Sequence, residues 1–311
     1  MSLVINTTTP EGIVIAADSR QSYRNRKGIS RIGSDTAKKL YKVNDRIGVA
    51  ITGLAFIEIN GTLNNVSSVI DEFIESNNVE TMSVEDVANG LYAAFSKVYK
   101  VEEQFKLLES KVKLDLQQQG CKDIKLTRKS NLLQFSFKAQ NGILQNGVAN
   151  IEQINFLVAG YNADKSHEVY VSYLPGDIKK TRNSKEKGKE YGASWIGQTD
   201  LVSRIILGFD PRIGNLASIQ KIGNSIGNEL RNLEYSIQWG TMTLQDGVDF
   251  SDLMIKTTTA IQRFSDGIVA EPGDVPGVGG DVDIAVITKN NGFVWINKKS
   301  IIYNNTKIVI D

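Results

Sequence analysis

The order in which strand-like and helix-like segments alternate constrains this chain more than any single residue. Residues 3–6 and 12–17 (GIVIAA) are short apolar runs around a turn at Pro10, Glu11 and Gly12, and read as a β-hairpin with a buried second strand. Residues 39–43 and 47–51 repeat the pattern around Asn44 and Asp45, whose side chains favour a tight turn. Helical spacing follows over 55–75 and again over 83–113, where Val87, Leu91, Ala94, Phe95 and Val98 form a stripe and Ser83, three residues before Asp86, suits an N-cap. After a polar stretch come strands over 154–160 and 168–174, helices over about 199–207, 217–233 and 249–264, and a last hairpin over 282–288 and 292–297. Hairpins and helices alternate in blocks, without βαβ units, so the expected class is antiparallel α+β. Two packed sheets covered by helices satisfy that order.

Several function classes drop out on composition. Lys and Arg number 36 against 35 acidic residues, a net charge of +1, so no bulk field recruits nucleic acid or an anionic membrane, and neither is expected as a partner. No apolar run approaches the roughly 18 residues that cross a bilayer, and the first residues lack a basic start and an apolar core, so a cytoplasmic location is expected. The one cysteine, Cys121, sits in a polar stretch and reads as an incidental thiol. The one histidine, His167, rules out two-His zinc motifs and reads as a turn residue beside a strand. No metal and no cofactor are expected, and an enzyme built on this chain needs a base other than histidine. The basic run over 179–189 (KKTRNSKEKGK) reads as a solvated loop that could also meet an acidic partner.

Three motifs, GIVIAADSR over 12–20, TAKKLYKV over 36–43 and AITGLA over 50–55, resemble in order and spacing the opening of a proteasome β subunit of divergent prokaryotic type. INFLVAGYN and VGGDVDIAVITKNNGFVWI resemble that family's middle strand and closing hairpin. The resemblance implies a four-layer αββα sandwich of two antiparallel sheets, the N-terminal-nucleophile (Ntn) hydrolase fold. It also implies one domain over 1–311, with insertions at about 102–151, 176–192 and 213–248, and assembly as a homo-oligomer.

In that family the nucleophile precedes the Asp by sixteen residues, which here leads from Asp18 back to Ser2, and the lysine and glycine stand fourteen apart, as Lys39 and Gly53 do. Ser2, exposed when Met1 is removed, is the implied nucleophile. An N-terminal residue carries its own base, an α-amine of unperturbed pKa about 7.7–8.0. Lys39 would lower the pKa of hydroxyl and amine, Asp18 would hold Lys39, and the Gly53 N–H would serve as oxyanion donor. The run Thr7, Thr8, Thr9 is the obvious rival, but a start at Thr7 leaves too few residues to Asp18, so it reads as hairpin interior. Two departures stand out: serine replaces the family's threonine, and Gln198 occupies the position of a serine that orients the amine, with Asp274 as that serine's aspartate partner. The expected activity is amide-bond hydrolysis on a peptide or protein through an acyl-enzyme. Transpeptidation by the same nucleophile and a non-catalytic structural subunit are the alternatives.

Overall fold

The computed structural model describes residues 2–24, 30–59, 61–129, 131–216, 218–219, 225–268, 271–272, 275–303 and 306–308. Both strands of the first hairpin, β1 (Leu3–Thr8) and β2 (Ile13–Ala17), are buried along their whole length; β2 is an apolar run, while β1 buries Asn6, Thr7 and Thr8 after Leu3, Val4 and Ile5. They lie inside a five-stranded antiparallel sheet ordered β15-β1-β2-β18-β19, with β15 (Gly192–Gly197), β18 (Asp283–Thr288) and β19 (Gly292–Asn297). A second five-stranded sheet is ordered β14-β13-β12-β6-β5, from β5 (Leu40–Asn44), β6 (Ile47–Gly53), β12 (Ile154–Tyr161), β13 (His167–Leu174) and β14 (Ile178–Asn183). A separate three-stranded sheet holds β9 (Lys122–Lys129), β10 (Leu132–Lys138) and β11 (Leu144–Asn150). Two-stranded ribbons pair β3 (Gln21–Arg24) with β4 (Ser30–Ser34), β7 (Phe56–Ile59) with β8 (Thr62–Asn65), β16 (Gly267–Ile268) with β17 (Glu271–Pro272), and β20 (Ile301–Tyr303) with β21 (Thr306–Ile308).

The helices are α1 (Ser68–Ser76), α2 (Val84–Tyr99), α3 (Val101–Gln118), α4 (Asp200–Leu207), α5 (Ser225–Leu230) and α6 (Leu244–Phe264). Capping boxes start α2 at Ser83 with Asp86 and α6 at Thr243 with Asp246, satisfying backbone donors that would otherwise end unpaired. Alternation along the strands sends neighbouring residues to different cores. Val4, Ile15 and Ala17 of the first sheet meet Leu40, Ala50 and Leu157 of the second. Leu3, Ile5 and Val14 pack instead with Val202 and Ile206 of α4 and Ile255 of α6. On the second sheet, Ile51, Phe156 and Val158 pack with Ile70 of α1 and Leu91 and Phe95 of α2. Burying each of the valine, leucine, isoleucine and phenylalanine side chains among these is worth about 1.5–3 kcal/mol. The class is thus mixed α and β with several antiparallel sheets.

Local departures have physical causes. Residues 55–75 do not form one helix: β7 and β8 come first, with Ile57 buried beneath them, and the helix begins only at Ser68. The long helix expected over 83–113 breaks at Lys100, which adopts a left-handed φ of 43° between α2 and α3. The run over 179–189 is half strand, and Lys180 pairs with Glu168 at 2.8 Å and Lys185 with Asp164 at 2.6 Å, so much of its charge is met within the chain. The helix expected over 217–233 lies partly outside the described residues. No helix among the described residues is long and apolar enough to cross a membrane.

Candidate active site

Ser2 stands at the open end of β1, where the register Leu3↔Gly197 lays the start of the chain against the end of β15. Its carbonyl oxygen accepts from the Gln198 N–H at 2.7 Å. Gly197 has φ +96°, and a Cβ there would fall 2.0 Å from that oxygen, so only glycine lets the chain start approach so closely. Ser2 is 5% exposed.

Asp18, one residue beyond β2, is fully buried and takes four donors. Its Oδ1 accepts from the Leu3 N–H at 2.9 Å and from Lys39 Nζ at 2.8 Å. Its Oδ2 accepts from the Arg20 N–H at 3.1 Å and the Gly279 N–H at 3.0 Å. The carboxylate therefore ties together the start of β1, the loop after β2, the Gly279–Gly280 turn and Lys39. Lys39 also donates to the Arg20 carbonyl and is 6% exposed. Burial pushes its ammonium below the ordinary 10.5, and the attraction of Asp18, acting in the opposite direction, does not offset it. Arg20 is clamped by Asp35 through Nε at 2.6 Å and Nη2 at 3.0 Å, a two-pronged contact that raises its pKa and lowers that of Asp35.

Lys39 and Gly53 converge because β5 and β6 form one hairpin, in which the Ile51 N–H donates to the Lys39 carbonyl at 2.9 Å. Gly53 ends β6 with φ +98°, and a Cβ there would fall 1.9 Å from the Gln153 carbonyl oxygen. Ser2, Lys39, Thr52 and Gly53 line one narrow cavity of about 40 Å³. Ser2 and Gly53 also line a broad cleft of about 1090 Å³ whose apolar walls include Tyr23, Leu54, Phe56, Leu63, Leu132 and Ile151.

Gln198 lines the same cleft, and its side chain is fixed from outside: Gln262 Nε2 on α6 donates to Gln198 Oε1 at 2.7 Å, while Gln262 Oε1 accepts from the Gly277 and Val278 N–H groups at 3.0 and 2.9 Å. Asp274 and Met1 lie outside the described residues. Thr7, Thr8 and Thr9 are buried in and beyond β1, where Thr7 Oγ1 bonds Ser251 Oγ of α6 at 2.9 Å. His167 opens β13 rather than sitting in a turn; its Nε2 meets the Glu190 carbonyl at 2.7 Å, and burial lowers its pKa. Cys121 is partly exposed. Among the described residues no group of three or more His, Cys, Asp or Glu is placed to hold a metal. Sequence reasoning missed Arg20, Thr52 and Gln262. Arg20 had a signal in its place beside Asp18, whereas Gln262 is one polar residue among many on a helix.

No family model matches the sequence, and no curated protein does. Among solved structures, the chain is similar to an Anbu (Gly-1) mutant from Hyphomicrobium sp. strain MC1, at 11% identity over 95% of this chain and 87% of that one, with a TM-score of 0.48. It is also similar to Anbu (ancestral beta-subunit) from Yersinia bercovieri, at 10% identity over the same shares, with a TM-score of 0.49. The expectation from the motifs is therefore corrected. The chain is not assigned to the proteasome β-subunit family. The motifs are short, so they can fix a local constellation without carrying membership. The chemistry of the site rests on this chain's own residues.

Proposed function

We propose that this chain is an amide-bond hydrolase acting on peptides or proteins, with Ser2 as its nucleophile once Met1 is removed. The observation that carries the reading is the Asp18–Lys39 pair, buried and hydrogen-bonded at 2.8 Å, in a cavity whose walls also include Ser2 and Gly53. In this scheme the neutral α-amine of Ser2 takes the hydroxyl proton as Oγ attacks the substrate carbonyl. The Gly53 N–H receives the developing oxyanion, and the Lys39 charge steadies it. The α-ammonium returns its proton to the leaving amine, giving an ester on Ser2 and a released amine product. Water, deprotonated by the same amine, then cleaves the ester and frees the acid.

Asp18 acts through Lys39, holding its ammonium against the cost of burial. Gln198, tethered by Gln262, borders the cleft beside Ser2, and Asp274 is a candidate partner for the amine. The three cores support a four-layer αββα reading of the chain, with the segments at about 102–151, 176–192 and 213–248 as additions to one domain. The apolar cleft walls favour a second outcome from the same ester, capture by an amine in place of water, which product masses with an added amine separate from hydrolysis. Self-assembly into a homo-oligomer also belongs to the proposal and is read by mass in solution.

The test compares Ser2→Ala with Thr7→Ala on a pool of fluorogenic peptide amides. Ser2→Ala is expected to abolish turnover while Thr7→Ala keeps it. Activity surviving in Ser2→Ala and lost in a folded Thr7→Ala would reject the reading.

A further inference from the structure

Buried polar atoms in folded chains almost always have a partner, and the exceptions call for an explanation. Thr52 Oγ1 and Asn155 Oδ1 are two such exceptions: both are buried, and neither has a hydrogen-bond partner among the described residues. They are neighbours. Thr52 of β6 stands opposite Asn155 of β12, and the residues beside them, Ile51, Ile154 and Phe156, pack towards α1 and α2. Alternation therefore turns Thr52 and Asn155 to the other face, towards the first sheet and the start of β1.

The direction is confirmed at Gly197. The point where its Cβ would sit lies 3.2 Å from Thr52 Cγ2 and 2.0 Å from the Ser2 carbonyl oxygen, so threonine and chain start press on the same spot. Thr52 is 3% exposed and lines the narrow cavity with Ser2; Asn155 lines the broad cleft with Ser2. Two unpartnered oxygens thus lie on the sheet face that turns towards Ser2.

We infer that Thr52 and Asn155 receive the α-amino group of Ser2 after Met1 is removed. The inference rests on the reading of Ser2 as the freed terminus. A peptide N–H offers one donor, whereas a terminal ammonium offers three, and a hydroxyl and a carboxamide oxygen can both accept from it. The pair holds the amine beside the Ser2 hydroxyl, a positioning role. Before processing, the two oxygens are a local cost; afterwards they are satisfied.

The experiment compares the full chain with Met1 retained and the full chain beginning at Ser2, released from a cleavable N-terminal fusion, each carrying Thr52→Val or Asn155→Leu. With Met1 retained, both substitutions leave the Tm unchanged or raise it, because they remove an unpaired buried polar atom. In the chain beginning at Ser2 they lower the Tm, Thr52→Ser does not, and Thr52→Val slows single-turnover acylation by roughly tenfold or more. Equal shifts of the same sign in both forms would overturn the inference. Reversal of sign in a chain without peptidase activity keeps the amine site and removes the hydrolase reading; activity without reversal does the opposite. Should Asn155→Leu not fold, Thr52→Val and Thr52→Ser alone decide.

Discussion

Asp18→Asn is the most revealing single substitution, because it keeps the shape of the side chain and changes its chemistry. The carboxylate uses both oxygens, each for two donors, and an amide has only one oxygen to offer. Whichever way the amide turns, its nitrogen faces two donors and leaves them without an acceptor, at about 1–3 kcal/mol for each buried group. Lys39 also loses its counter-charge while 6% exposed, and removing one partner of a buried pair costs about 3–5 kcal/mol. These costs overlap, so the expected loss is about 3–5 kcal/mol, a fifth or more of a typical stability of about 5–15 kcal/mol. Adding Lys39→Met relieves the stranded charge, so the double variant is expected to be more stable than the sum of the single losses by about 1–3 kcal/mol. Urea unfolding followed by the fluorescence of Trp195, Trp239 and Trp295 measures all four proteins of the cycle. A loss under about 1 kcal/mol in Asp18→Asn, or losses additive within about 0.5 kcal/mol, would contradict the pairing.

Gly53→Ala places a methyl 1.9 Å from the Gln153 carbonyl at a φ of +98°, so the end of β6 must move; kcat is expected to fall by about 10²–10³, the loss of one oxyanion donor, with KM far less affected. In a pH series kcat/KM is expected to rise as the Ser2 amine loses its proton, and to fall again below pH 10.5 as Lys39 loses its own. The same depression makes the unfolded chain the better proton binder, so Lys39 makes stability rise with pH from its lowered value up to 10.5. An alkaline limb at or above 10.5 would separate Lys39 from activity.

The spacings that led to Ser2, Asp18, Lys39 and Gly53 were legible because each spans one hairpin, and hairpin register is a local property. The β1–β2 pairing Val4↔Ala17 carries Asp18 to the Leu3 N–H, and the β5–β6 pairing Leu40↔Ala50 sets Lys39 beside the strand that ends in Gly53. The burial of Leu3, Ile5, Ile13 and Ile15 was equally readable from the apolar runs. Contacts between distant segments left no such trace. Gln262 reaches Gln198 across 64 residues, and Asn155 faces Thr52 only because β12 pairs with β6. The sheet over 122–150 leaves little trace in the sequence because its strands are mostly exposed, with Leu144 and Val148 on the surface, so alternation between a wet and a dry face is weak. At residues 56–65, Ile57 is buried while Phe56 and Leu63 face the cleft, an apolar spacing that suits a helix as well as a hairpin.

Intact mass of the purified chain, before and after treatment with a β-lactone or an epoxyketone, tests the central claim most directly. The predicted result is a chain lacking Met1 that gains one adduct on Ser2, and no adduct in Ser2→Ala. A chain that keeps Met1 and takes no adduct would contradict Ser2 as the nucleophile.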